Sequence, residues 1–231
     1  MLHRIVKIVV WVGWFLLAIA LGTIMGIFEF SAKVDYLILL ILGFACFFTS
    51  IAIDIGWTMY ENKKMQNLSV HLTAPGGNIP YYITETEKLK KRTLSPVIRA
   101  CCGINIAAAY GLLENYEDAL AALHSVKYKK LRGPLLANYW IALAGNYFEA
   151  GDYENGLKIC REYQTLINEH RNHPGLAAYA TILDLYCKIA VNDLNGLEQE
   201  IAEARNKWPD LKMKRDFDKL EEHYRSALEK Q

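Results

Sequence analysis

From Ile8 to Phe28 the chain reads IVVWVGWFLLAIALGTIMGIF, 21 residues without a charge. From Tyr36 to Ile53 it reads YLILLILGFACFFTSIAI, another 18. About 20 apolar residues cross a bilayer core as a helix, so each run predicts a membrane span, placed at about 8–28 and 36–56. Only EFSAKVD (29–35) lies between them, which is enough for a tight turn, so an antiparallel helical hairpin is expected within 1–60. A cleaved signal peptide competes for the first run, with Arg4 and Lys7 ahead of it and Ala18-Ile19-Ala20 as a small-residue site. The length of the run and the second span directly after it favour an anchor.

Arg4 and Lys7 precede the first span, Lys63 and Lys64 follow the second, and the turn holds Lys33 alone. The positive-inside rule then places both ends, and everything after residue 60, in the cytoplasm. Trp11, Trp14 and Trp57 lie towards that same side, where indoles favour the interface. Ala18, Gly22 and Gly26 form a small-residue ladder on the first helix, and Gly43, Cys46 and Ser50 a comparable seam on the second. Small residues let helix backbones approach closely in lipid, so these six are the expected packing positions, within the hairpin or onto another membrane protein. Asp54 continues the second seam, close to the expected cytoplasmic boundary.

Beyond residue 60 the pattern changes. Ala74-Pro75-Gly76-Gly77-Asn78-Ile79-Pro80 is turn chemistry, and Lys88, Lys90, Lys91 and Arg92 make a short basic run. Residues 61–95 are therefore expected as a basic juxtamembrane linker, its basic run either lying along an anionic leaflet or forming a solvated helix face.

After Ser95 the chain is rich in Ala, Leu, Tyr and Glu at helical spacing. Pro96, Pro134 and Pro174 are expected to mark helix starts, because a proline at the first helical position forfeits no hydrogen bond. They recur at 38 and 40 residues, a period that predicts stacked helix-turn-helix units. AAAYGLLENYEDALAAL (107–123) and ALAGNYFEAGDYENGLKIC (142–160) both place a tyrosine, then six residues later a second tyrosine opening the next helix.

Here the chain resembles the tetratricopeptide repeat family. In the second unit Trp140, Leu143, Tyr147, Gly151 and Tyr153 fall on signature positions, while Ala144 stands for the usual Gly and Gly156 for the usual Ala. In the first unit Ala107, Tyr110, Tyr116, Ala119 and Leu123 match, with Gly103 where Trp is expected. Tyr179, Ile182, Leu183 and Tyr186, then Leu194, Leu197, Ile201, Ala204 and Pro209 after a two-residue insertion, make a degenerate third unit. Small residues at 107, 119 and 144 would let paired helices close, with Tyr110, Tyr147 and Tyr153 filling the wedges. The expected fold is all-α: a two-span transmembrane hairpin, a short tetratricopeptide-like α-solenoid over 96–209, and a capping helix over 210–231. That last helix carries Phe217, Leu220, Tyr224 and Leu228 on one stripe.

The resemblance implies a concave protein-binding groove lined by the first helix of each unit. Carried over, its positions are Cys101, Ile104, Ala108 and Leu112, then Asn138, Ile141, Gly145, Phe148 and Glu149. This mostly apolar surface suits an amphipathic helix or an extended apolar segment. Ile104, Ala108 and Ala142 replace the polar set with which some family members clamp a peptide's terminal carboxylate. With about three repeats, the capping helix or the linker is an alternative occupant of the groove.

Composition narrows the function further. The 231 residues hold 26 Lys+Arg against 25 Asp+Glu, a balance that argues against nucleic acid as partner. Cys46, Cys101, Cys102, Cys160 and Cys187 form no CxxC pair and read as reduced thiols. Glu169-His170-Arg171-Asn172-His173 has its histidines three apart rather than four, so no metal is expected. No nucleophile elbow, phosphate loop or dinucleotide fingerprint is present, and no cofactor or catalytic role is assigned. The expectation is a membrane-anchored adaptor or scaffold with protein partners at the cytoplasmic face. The alternative is a structural or accessory subunit that joins other membrane proteins through its hairpin. The layout resembles that of several bacterial envelope proteins.

Overall fold

A computed structural model of the chain describes residues 2–28, 32–73 and 77–229. Among these it is all-α, with ten helices, one short 3₁₀ turn and no strand. The chain divides into two units, Met1–Gln66 and Asn67–Gln231.

The first unit holds α1 (Leu2–Phe28) and most of α2 (Ala32–Thr73). Ile5–Met25 and Leu37–Leu72 are long and apolar enough to cross a membrane, the most apolar 18-residue window of each having a mean hydropathy of 2.4. Their most apolar windows are 6% and 0% buried, whereas the core helix of a globule hides such residues. Thr23, Thr49 and Thr58 donate their hydroxyls to the carbonyls of Ile19, Ala45 and Asp54, so each is satisfied within its own helix. Residues 29–31 of the expected turn lie outside the described residues. α2 does not stop near 56 but continues to Thr73, because no glycine or proline interrupts 57–73.

The second unit begins with the last turns of α2. Leu68 and Leu72 pack with Ile79, Tyr82 and Ile83 of α3 (Ile79–Arg92) and with Ala109 of α4. The 61–95 stretch is thus largely helix among its described residues. Asn78 caps α3 by accepting from the Tyr81 amide at 2.9 Å, and Tyr82, Thr86 and Leu89 share one buried stripe. Ala74, Pro75 and Gly76 of the expected turn lie outside the described residues.

α4 (Pro96–Leu112) pairs with α5 (Tyr116–His124), α6 (Gly133–Glu149) with α7 (Tyr153–His170), and α8 (Ala177–Ala190) with α9 (Leu197–Lys207). α4 also touches α6, α6 touches α8, and α10 (Leu211–Leu228) lies on α8 and α9. One turn geometry recurs within the pairs. Glu114, Gly151 and Asn192 all adopt left-handed φ, at 57°, 80° and 60°. The next residue's amide bonds back to Tyr110, Tyr147 and Lys188 at 3.0, 2.9 and 3.0 Å. In the first two pairs Asn115 and Asp152 then cap the second helix directly. The third turn is longer and extends to Gly196 before α9 begins at Leu197. Pro96 sits at its helix start after the Ser95 cap, and Pro134 in the first turn of α6. Pro174 does not start a helix: it lies in a turn closed by the Leu176 amide on the His173 carbonyl, and α8 begins at Ala177.

Ala107, Ala119 and Ala144 are fully buried, and Tyr110, Tyr147 and Tyr153 pack beside the core. A Cβ at Gly156 would come within 2.6 Å of the Phe148 ring, and one at Gly103 within 2.6 Å of a Val126 methyl. Trp140 stacks on Tyr163 with centroids 3.6 Å apart, tying α6 to α7.

Candidate functional site

The groove positions divide sharply by exposure. Ile104 and Ile141 are buried, and Phe148 is wholly enclosed, stacked on Tyr186 of α8 with centroids 5.5 Å apart. These three belong to the core, because α8 covers the end of α6, and they do not offer an open surface. Cys101, Leu112, Asn138, Gly145 and Glu149 are half-buried, and Ala108 is exposed. Burial pushes the Cys101 thiol up. A Cβ at Gly145 would meet open space.

At the C-terminal ends of α4 and α6 the face is occupied by α10. Phe217 and Leu220 are fully buried and Met213 nearly so, while Leu228 is exposed rather than part of the expected stripe. Arg215 donates to the Gly111 carbonyl in the last turn of α4 and lies 3.9 Å from Glu149. Lys219 pairs with Glu114 at 2.9 Å. Cations at a helix C-terminus satisfy its free carbonyls and oppose its dipole. The Tyr153 hydroxyl shares a 2.7 Å hydrogen bond with His223 Nδ1, and the His223 ring meets Tyr186 edge-on.

This closure gathers two carboxyls in poorly hydrated surroundings. Burial raises Glu149 to about 7, although Arg215, Lys219 and a hydrogen bond from Tyr116 favour its charged form. Burial likewise raises Asp216 to about 6 against the pull of Arg215. Tyr186 is driven far up by burial and by the nearby carboxylates, and its hydroxyl has no hydrogen-bond partner among the described residues. The periodic signals that located α10 say nothing of this cluster, since Arg215, Asp216, Lys219 and His223 meet the repeats only through tertiary docking. Cys160 and Cys187, from α7 and α8, act on each other: Cys187 and burial push the Cys160 thiol up, while Cys160 pulls the Cys187 thiol down. Among the described residues, no group of three or more His, Cys, Asp or Glu is arranged to hold a metal ion.

In the first unit α1 and α2 meet through Val10, Trp11 and Trp14 against Cys46, Ser50 and Ile53. Lys7 Nζ bonds Asp54 at 2.7 Å beside this contact. Cys46 and Ser50 therefore do face α1, but across indoles rather than across a glycine ladder. Ala18 is half-buried, and a Cβ at Gly22 or Gly43 would meet nothing within 4 Å. Close small-residue packing is therefore not formed at Gly22 or Gly43 within this unit. Gly26 lies outside the residues whose side chains are described.

Comparison with protein-family models, with curated proteins and with solved structures finds no match to this chain.

Proposed function

We propose that this protein is a membrane-anchored, tetratricopeptide-like scaffold that holds a protein partner at the cytoplasmic face, without catalysis. The observation that carries the reading is the pairing of two outward-facing apolar helices with a unit of recurring helix pairs in one chain. The left-handed turns at 114, 151 and 192 supply the period, at 37 and 41 residues, that a short solenoid requires. The basic residues flanking the spans favour a cytoplasmic second unit. Because α10 covers the C-terminal part of the groove, the partner is assigned to the open stretch around Ala108 and Gly145.

Cross-linking in native membranes, followed by mass spectrometry, tests this on the full chain. Ala108→Arg with Gly145→Glu should leave folding and insertion intact and remove the partner captured by wild type. An unchanged capture would sink the scaffold reading. A second reading, a subunit assembled through its spans, is favoured by the open faces at Gly22 and Gly43. In that case Gly22→Leu with Gly43→Leu, and not the groove pair, would abolish the association.

A further inference from the structure

Charge is unevenly divided along the second unit. Residues 88–148 carry nine basic and three acidic side chains, whereas 149–231 carry 12 basic and 16 acidic. The three acids in the first stretch, Glu114, Glu117 and Asp118, cluster at the α4–α5 turn, where Glu114 is taken by Lys219. The basic groups gather elsewhere. Lys88, Lys90, Lys91 and Arg92 end α3, and Lys127, Lys129, Lys130 and Arg132 surround the 3₁₀ turn after α5.

The fold joins these two runs. Lys90 Nζ donates to Ser125 Oγ at 3.0 Å across 35 residues of sequence, setting the end of α3 beside the α5–α6 connection. Val126 anchors that connection against Gly103 of α4. Lys88 and Lys91 are offset by Glu85 and Glu87 on their own helix. Lys127, Lys129 and Lys130 are exposed and pair with no carboxylate among the described residues. Leu94 and Val97, at the α3–α4 corner, expose 38% and 41% of their surface beside the first run.

We propose that this basic edge docks on anionic lipid headgroups. The proposal rests on the membrane-anchored reading. A cluster of four to eight Lys and Arg that follows a membrane span fits an anionic leaflet, each contributing through its proximity to the surface. Leu94 and Val97 add apolar side chains of the kind that enter the headgroup boundary. Nucleic acid is disfavoured because the aromatic group within the second run, Tyr128, is already stacked on Tyr139 and packed at a tilt on Trp140. The acidic half of the unit would be repelled by the same leaflet, so the charge division also sets an orientation.

Lysine footprinting of the full chain in vesicles tests this. The protein is reconstituted into phosphatidylcholine alone or with phosphatidylglycerol, checked for resistance to alkaline carbonate, and acylated with a water-soluble ester read by mass spectrometry. Lys91, Lys127, Lys129 and Lys130 should label more slowly in the anionic vesicles, and high salt should erase the difference. Lys158 and Lys207, in the acidic half, should label equally in both. Lys129→Gln with Lys130→Gln should lower the docked-to-undocked ratio, read at Lys91 and Lys127, by roughly thirtyfold. Equal labelling in both vesicles, or protection that survives the double variant, overturns the proposal while leaving the anchor intact. Protection by a short RNA but not by anionic lipid would reassign the edge to nucleic acid. Extraction by carbonate would overturn the anchor, and this docking with it.

Discussion

Gly156 lies within α7 against Phe148, and Gly156→Ala separates helix propensity from packing. In an open helix interior the substitution stabilises by about 1 kcal/mol. Here the new Cβ would stand 2.6, 2.7 and 2.9 Å from three atoms of the Phe148 ring. The ring has little room to retreat, because its other face is stacked on Tyr186 and Tyr153 lies at 6.2 Å. Overpacking of this kind costs about 1–3 kcal/mol. The expected net effect is a destabilisation of up to about 2 kcal/mol, a drop in Tm of a few degrees for a unit this size. Thermal unfolding of the full chain in a mild detergent, followed by circular dichroism, measures it. The decisive arm is the cycle with Phe148→Leu, which removes the ring. In that background Gly156→Ala should become neutral or stabilising, giving a coupling of about 1 kcal/mol or more. A more stable single variant, or no coupling, would show that the ring does not impose the glycine.

The α10 closure should depend on pH. Burial raises Glu149 from its ordinary 4.5 to about 7, so the folded state holds the proton more tightly than the unfolded chain. The stability this confers is complete below about 4.5 and is lost as pH rises through 7; at 1.36 kcal/mol per pH unit the loss from pH 5 to 8 is about 2.5 kcal/mol. Glu149→Gln should flatten most of that slope in denaturant titrations at both pH values, leaving the smaller contribution of Asp216 below pH 6. An unchanged slope would refute the assignment. The Cys160 and Cys187 thiols, which influence each other across the α7–α8 contact, should form a disulfide under mild oxidation by added oxidised glutathione. The closed loop should raise stability by about 3 kcal/mol in the chain-entropy account, and Cys160→Ser should abolish the gain. No change in Tm on oxidation of wild type would contradict the placement of the two thiols.

The sequence announces elements whose cause is local. The charge-free runs at 8–28 and 36–53, the tyrosines at 110, 147 and 153, and the amphipathic stripe through Phe217 and Leu220 each follow from periodicity. Boundaries fail where the stop signal is weak, as in α2, which runs on through 57–73 because nothing there breaks a helix. α3 was hidden by its charge: four basic residues in five positions read as a solvated belt, although Tyr82, Thr86 and Leu89 make a buried stripe beneath them. Pro174 misleads for the opposite reason, since a proline suits a tight turn as well as a helix start.

The groove marks where local pattern stops deciding. Ile141 and Phe148 lie on the face that a family groove would use, but whether that face is open depends on what the rest of the chain brings to it. Here α8 supplies Tyr186 against Phe148, and α10 supplies Arg215 and Lys219 to the ends of α4 and Glu114. A short array of pairs leaves a large apolar face for its size, and covering it from within removes that face from water. The polar contacts then fix where α10 sits: a guanidinium on a helix-end carbonyl and an ammonium on a left-handed turn residue leave little freedom of register. What the closure leaves accessible is the stretch around Ala108 and Gly145, together with the basic edge at α3 and the α5–α6 connection. Mutations in this unit should therefore be read first against α10: a change at Phe148 or Ile141 reports on folding, and only a change at exposed positions reports on a partner.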